Sequence, residues 1–339
     1  MSRSQMSGVK VSRQRTGFLL RYGNIRIGLD TGIADGPTLL SHSHTDHTQS
    51  LGGAREVIAT KGTLDTLAAR GGRLKSATTV VEYGRSIFHG NVVITALDAG
   101  HVLGSTMFLI EFDDGATVLY TGDFNNVDSL VHTRAQPTKA DVLVMEATYG
   151  SPEWVFPSRE RVYGDIVRVA REVLDSGRIP RFHAYSLGKA QEAIALLHGE
   201  GFEVLAGNGA IDTVSRVYSR HGIDLQYVTL DSAEARRLIE HGCTVVSSST
   251  RHMYHNLVKV VGSSVAQQME ALMVDFDLSG WSLPQYGSGG LPLSAHTDYP
   301  GLIQFAKNVD PVITYCFTEN ARVLAEALSR DGLPAVPLE

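Results

Sequence analysis

Six consecutive residues, His42-Ser43-His44-Thr45-Asp46-His47, constrain this chain more than any other feature. They pack three histidines and one aspartate into one short segment. The preceding Pro37-Thr38-Leu39-Leu40-Ser41 reads as a short strand running into a turn, and a strand that ends in a turn can aim several side chains at one point. Imidazoles beside a carboxylate suit zinc or a similar divalent ion. The competing reading is a polar loop that holds three histidines by chance.

Composition sets the frame for that segment. With 339 residues the chain is long enough for two domains or one large one. Its hydrophobic content of 43% supports a packed core and argues against general disorder. The net charge of -6 is unlike that of a basic nucleic-acid coat, so a polyanionic partner would need local positive charge, from Arg and Lys patches or bound metal. Two cysteines, Cys243 and Cys316, make no disulfide framework and fit a reducing cytoplasm. No long apolar run marks a signal peptide or a membrane span.

Periodicity divides the chain. The first 17 residues are polar and read as partly disordered. Short strands follow at Phe18–Tyr22, Ile25–Leu29, Thr38–Ser41, Val57–Ala59, Val92–Ala96, Met107–Phe112 and Thr117–Tyr120. Asp113-Asp114-Gly115 is a hairpin signal, and Thr63–Arg70 reads as a helix capped by Thr63 and ended by Gly71. After Gly150 the pattern changes. Pro157–Asp175 has helical spacing, and strands at 180–184, 203–205 and 244–247 alternate with helices at 187–197, 211–219 and 233–239. The part from Leu291 holds a strand at 312–315 and a helix at 321–328. These shifts set expected boundaries of 1–150, 151–290 and 291–339.

Two further segments carry chemistry. Asp98-Ala99-Gly100-His101-Val102-Leu103-Gly104 puts a histidine in a Gly-flanked turn, and Tyr120-Thr121-Gly122-Asp123-Phe124 puts an aspartate just past a strand. Each alone is usually a plain turn residue. Together and in this order they resemble the metallo-β-lactamase superfamily, whose His-x-His-x-Asp-His motif is followed by a later His and then an Asp. The resemblance implies an α/β fold, an αββα metallo-β-lactamase sandwich. It also implies one metal held by His42, His44 and His101, and a second held by Asp46 and His47, with Asp123 bridging them. The implied cofactor is zinc, one ion or two, with Mn2+ as the alternative.

Three later segments narrow the branch. Val144-Met145-Glu146-Ala147-Thr148-Tyr149-Gly150, Ala184-Tyr185-Ser186-Leu187-Gly188-Lys189-Ala190-Gln191-Glu192 and Leu293-Ser294-Ala295-His296-Thr297-Asp298-Tyr299 resemble those of the β-CASP nucleases. That branch inserts a cap domain before its last motifs, so a compact α/β cap is implied for 151–290. It also implies catalytic roles for Asp46, Glu146 and His296. Glu146 would orient a histidine, and His296 would protonate or stabilise the leaving oxygen. Ser186, as a helix N-cap, and Lys189 could dock a substrate phosphate, although an ordinary capped helix explains them equally well.

The resemblance departs at Ile313-Thr314-Tyr315-Cys316-Phe317-Thr318-Glu319, where RNA-processing members carry a histidine for the second metal. Cys316 offers a thiolate there, although a buried strand cysteine is the commoner role. His252 and His255 fit no motif. The implied function is a metal-dependent nuclease acting on RNA in the manner of mRNA 3′-end processing nucleases. The alternatives are a ligase-associated type of DNA exonuclease, suggested by Gly280-Trp281 and Pro300-Gly301-Leu302, and a nucleic-acid-binding subunit with weak catalysis. A small-molecule thioesterase or lactonase of the same superfamily would lack the segments around Glu146 and His296. The partners implied are RNA or DNA, with a homodimer or a processing complex around the chain and no membrane.

Overall fold

The computed structural model describes residues 8–248, 250–283, 285 and 289–338. It opens with four strands, β1 (Val9–Gln14), β2 (Gly17–Tyr22), β3 (Ile25–Leu29) and β4 (Pro37–Leu39), then α1 (Thr45–Thr48), β5 (Glu56–Thr60), α2 (Lys61–Ala69) and β6 (Ala77–Val81). The strands form one sheet in the order β1-β2-β3-β4-β5-β6. Next come β7 (Ser86–His89), β8 (Val92–Asp98), β9 (Thr106–Phe112), β10 (Thr117–Tyr120) and β11 (Val142–Glu146).

The central part holds α3 (Arg159–Asp175), β12 (Ile179–His183), α4 (Lys189–Gly199), β13 (Val204–Ala206), α5 (Gly209–Arg220), β14 (Val228–Thr229), α6 (Ala235–His241), β15 (Thr244–Ser247), α7 (Thr250–Val261), α8 (Ser263–Leu272) and β16 (Met273–Asp277). Its five strands make an all-parallel sheet, β14-β13-β15-β12-β16. The chain ends with α9 (Tyr299–Val309), β17 (Ile313–Phe317), α10 (Ala321–Arg330) and β18 (Ala335–Pro337). Strands β17 and β18 complete the second sheet, in the order β18-β17-β11-β10-β9-β8-β7.

The chain divides into two compact units. One comprises Met1–Asp128, His132–Val155 and His296–Glu339; the other comprises Ser129–Val131 and Phe156–Ala295. In the first unit the inward residues of both sheets share one core. Phe18, Leu20, Ile27, Leu39 and Ile58 of the first sheet meet Ile94, Phe108, Ile110, Val118 and Val144 of the second. The outward face of the second sheet, through Leu119, Leu143 and Cys316, packs on Leu302 and Phe305 of α9 and Leu324 of α10. Leu67 of α2 covers Val57 and Ala59 of the first sheet. Helix, sheet, sheet, helix: the architecture is the αββα sandwich.

Four readings of the sequence are corrected. The segment read as disordered contains β1, because Val9 and Val11 alternate with exposed Lys10 and Ser12, and the strand pairs in register with β2. Helix α2 starts earlier, since Thr60 rather than Thr63 is its cap and accepts from the Thr63 amide. Strands β6 and β7 escaped notice because few of their residues are buried, so the apolar alternation is weak. Helix α4 begins at Lys189, not Leu187, so Ser186 is not its N-cap. Gly188 holds that position at φ 95°, where the Gln191 side chain accepts its amide.

Candidate metal centre

The carboxyl ends of β4, β8, β10 and β11 present the polar residues of the first unit. Past β4 the chain enters α1, so His42, His44, Asp46 and His47 arise within six residues from a strand end and one helical turn. His101 lies in the turn between β8 and β9, Asp123 follows β10, Glu146 closes β11, and His296 precedes α9. Gly122 is required beside them. Its φ is +53°, and a Cβ there would stand 2.5 Å from Cβ of Ser41.

These side chains come together. Nε2 of His42 lies 3.0 Å and Nε2 of His101 3.1 Å from Nδ1 of His44. Oδ2 of Asp123 lies 3.5 Å from His42 Nε2 and 3.8 Å from His101 Nε2. An imidazole nitrogen has a single lone pair, so His44 Nδ1 cannot satisfy both neighbours as a hydrogen-bond acceptor. A tetrahedral ion with bonds of about 2.0–2.1 Å holds its donors about 3.3 Å apart. The four donors fit that spacing, so this group could hold such an ion. A second group, Asp46, His47 and Asp123, adjoins it, with His47 Nε2 3.3 Å from Asp123 and 3.6 Å from Asp46.

Protonation agrees with ligation at the first group. Burial holds His42 well below the usual histidine range, and it takes His44 down to about 3, so both rings are neutral donors at physiological pH. At His47 burial acts in the same direction but is outweighed by Asp123 and Asp30, which raise it well above the usual value. Burial would raise Asp123, yet His47 and its neighbours bring it well below the usual carboxylate range.

Glu146 and His296 form a third group with Asp123. Both Glu146 oxygens lie 3.0 Å from His296 Nδ1, and one also accepts the Phe124 amide at 2.7 Å. The His296 ring stands 4.5 Å, centroid to centroid, from that of His101.

Sequence reasoning missed Asp30. Buried at the end of β3 with φ 52°, it accepts from the Ser41 amide, Ser41 Oγ and the Tyr120 hydroxyl, and its Oδ2 lies 2.6 Å from Nδ1 of His47. A signal was present. Leu29-Asp30-Thr31-Gly32 sets an aspartate beside Thr-Gly at a strand end, as Tyr120-Thr121-Gly122-Asp123 does.

Other predicted residues lie elsewhere. Cys316 is buried in the core between the second sheet and its helices, where burial pushes its thiol up to about 12, and it joins no metal-capable group among the described residues. His255 sits exposed on α7, and the side chain of His252 is outside the described residues. Ser186 and Lys189 belong to the second unit. There the Ser186 carbonyl accepts from Gln191 Nε2, and Lys189 is buried against the ring of Tyr185.

The segment that holds most of these residues also resembles known proteins. Residues 37–199 match the Beta-lactamase superfamily domain. The chain is 27% identical over 315 residues, 91% of its length, to a probable DNA ligase of Opitutus terrae. It is 38% identical over 121 residues to cleavage and polyadenylation specificity factor subunit 3 of Dictyostelium discoideum, covering 34% of the chain. It is also 27% identical over 220 residues to an RNase J-like protein of Methanocaldococcus jannaschii, covering 60%.

Residues 37–199 carry the metallo-β-lactamase domain, and the chain resembles the β-CASP branch of that superfamily. It spans 29%, 15% and 51% of the lengths of those three relatives. A crystal structure of a protein of unknown function from Enterococcus faecalis matches the fold with a TM-score of 0.60 and 13% identity, covering 91% of this chain and 93% of that one. Among the described residues no helix of this chain is long and apolar enough to cross a membrane.

Proposed function

We propose that the chain is a metal-dependent phosphodiesterase that cleaves nucleic acid, with RNA as its substrate. The observation that carries this reading is the convergence of His42, His44, His101 and Asp123 next to the Glu146–His296 pair. The relatives named for RNase J and for cleavage and polyadenylation support RNA, and the one named as a subunit supports a processing complex. DNA is the second reading, favoured by the alignment of 91% of the chain with a probable DNA ligase.

Three nitrogens and one oxygen suit zinc at the first group. The second group, Asp46, His47 and Asp123, offers one nitrogen and two carboxylates, a harder set that also suits Mn2+. An ion bound there would supply Lewis acidity toward the phosphoryl oxygens and lower the pKa of a water nucleophile.

The chain's own residues do the rest. Asp46, with 72% of its side chain exposed, accepts a proton from the attacking water. Glu146 holds His296 at Nδ1, which turns the ring so that Nε2 delivers a proton to the leaving oxygen. Asp30 does the same orienting for His47. The second unit, read as the inserted cap over 151–290, contributes Ser186 and Lys189 to substrate binding. Supporting this is Lys189, which is buried against the Tyr185 ring, while Glu192, the carboxylate that acts on it, is also engaged by Arg159.

Matched single-stranded RNA and DNA, end-labelled at either terminus, test the proposal together with metal analysis of the purified protein. Cleavage that stops with chelator and returns with zinc or manganese is expected, faster on RNA. Full activity in metal-free protein, or no cleavage of either polymer, would sink the reading.

A further inference from the structure

The turn after β12 carries a feature that the cleavage chemistry leaves unused. Tyr185 is 68% exposed, although it sits between buried Ala184 and buried Leu187. Nζ of Lys189 lies 4.6 Å from its ring centroid, and Lys189 itself is only 8% exposed. The carboxylate that acts on it, Glu192, is already engaged by Arg159 at 3.0 Å and by the Tyr163 hydroxyl at 2.6 Å. A buried ammonium whose one carboxylate neighbour is shared with other groups costs stability, so a fold that keeps one gains something else from it.

The turn is held firmly. Gln191, fully buried, accepts the Gly188 amide through Oε1 and donates through Nε2 to the Ser186 carbonyl and to Ser215 Oγ. The Tyr185 carbonyl accepts the Ala190 amide, and the Ala184 amide bonds the Ser247 carbonyl. An exposed aromatic on a strapped turn loses little freedom on binding a flat partner. Its place in the sheet agrees. Adjacent strands β15 and β12 send the chain in opposite directions, to β16 and to β13, and open parallel sheets bind ligands at the carboxyl ends of such strands.

The geometry points to Tyr185, backed by Lys189, as a stacking platform for a base of single-stranded nucleic acid. The ring offers a π-face to any base, while the ammonium behind it favours the negative charge of the adjoining phosphate. This inference rests on the nucleic-acid reading above, and it adds a binding site in the second unit.

Binding of the metal-loaded full chain to labelled phosphorothioate oligonucleotides, which resist cleavage, measures it by fluorescence anisotropy. Tyr185→Ala should weaken binding of oligothymidylate about tenfold, whereas Tyr185→Phe should retain it. On an oligonucleotide of abasic residues the wild-type protein should lose its advantage over Tyr185→Ala. Equal affinity of Tyr185→Ala and wild type for oligothymidylate overturns the platform and leaves the nuclease reading standing. A wild-type protein that binds neither RNA nor DNA overturns both.

Discussion

Two strand-to-helix turns, one in each unit, solve the same local problem in opposite ways. After β4 the chain spends four polar side chains, His42, His44, Asp46 and His47, on a common point, and it buries His42 and His47 to do so. After β12 the buried polar residues Lys189, Gln191 and Glu192 point to separate partners: a tyrosine ring, the turn's own backbone, and an Arg–Tyr pair. Convergence makes a ligand set, and dispersal makes a scaffold. Burial of polar groups after a strand therefore does not itself mark a reaction centre; a shared focus does.

Removing His296 would break the focus without dispersing the ligands. His296→Ala should lower kcat about 10²- to 10⁴-fold with metal content unchanged, the loss expected when a proton donor is removed. Loss of metal together with activity would instead make His296 part of the ligand set. A smaller effect is expected one layer out. Asp30→Asn keeps the side-chain shape but removes the charge beside His47, so it should weaken the ion at Asp46, His47 and Asp123 about 10- to 100-fold. A metal titration resolving the two ions checks this. Equal weakening of both sites would reduce Asp30 to a purely structural role.

What the sequence made legible follows the same division. Focused residues were readable because their types are unusual and their spacing short: the segment from His42 to His47 suits a metal, and His101 and Asp123 repeat the pattern of a polar residue at a strand end. The sandwich was readable where apolar residues alternate cleanly, as in β8 and β9. Asp30 was missed because a lone Asp-Thr-Gly is a common turn, and only long-range contacts with Ser41, His47 and Tyr120 reveal its burial. Ser186 was misread as a cap because a serine before a helix is a good one, whereas a buried glutamine three residues into α4 took over the work. Cys316 was left open between ligand and core. The second sheet decides for the core, because its thiol is turned among Leu143, Leu324 and their neighbours.

The dispersed turn carries a pH dependence of stability, and its sign follows from the buried lysine. Burial lowers Lys189 from 10.5 to about 8, only partly offset by Glu192, so the folded protein favours the neutral amine more than the unfolded chain does. A depressed lysine contributes stability that is present above its unfolded value and is lost as pH falls from about 10.5 through about 8. At pH 7 the full penalty applies. Lys189→Met fills the same space without a charge and should stabilise the fold by roughly 1–3 kcal/mol at pH 7, with the advantage shrinking toward pH 10. Thermal melting at the two pH values reads this directly. A variant less stable than wild type at pH 7 would show that the ammonium is held by favourable contacts, chiefly the Tyr185 ring, that outweigh its desolvation. If the variant is more stable but binds oligonucleotide more weakly, the lysine is retained for binding at the expense of stability, as ligand sites commonly are.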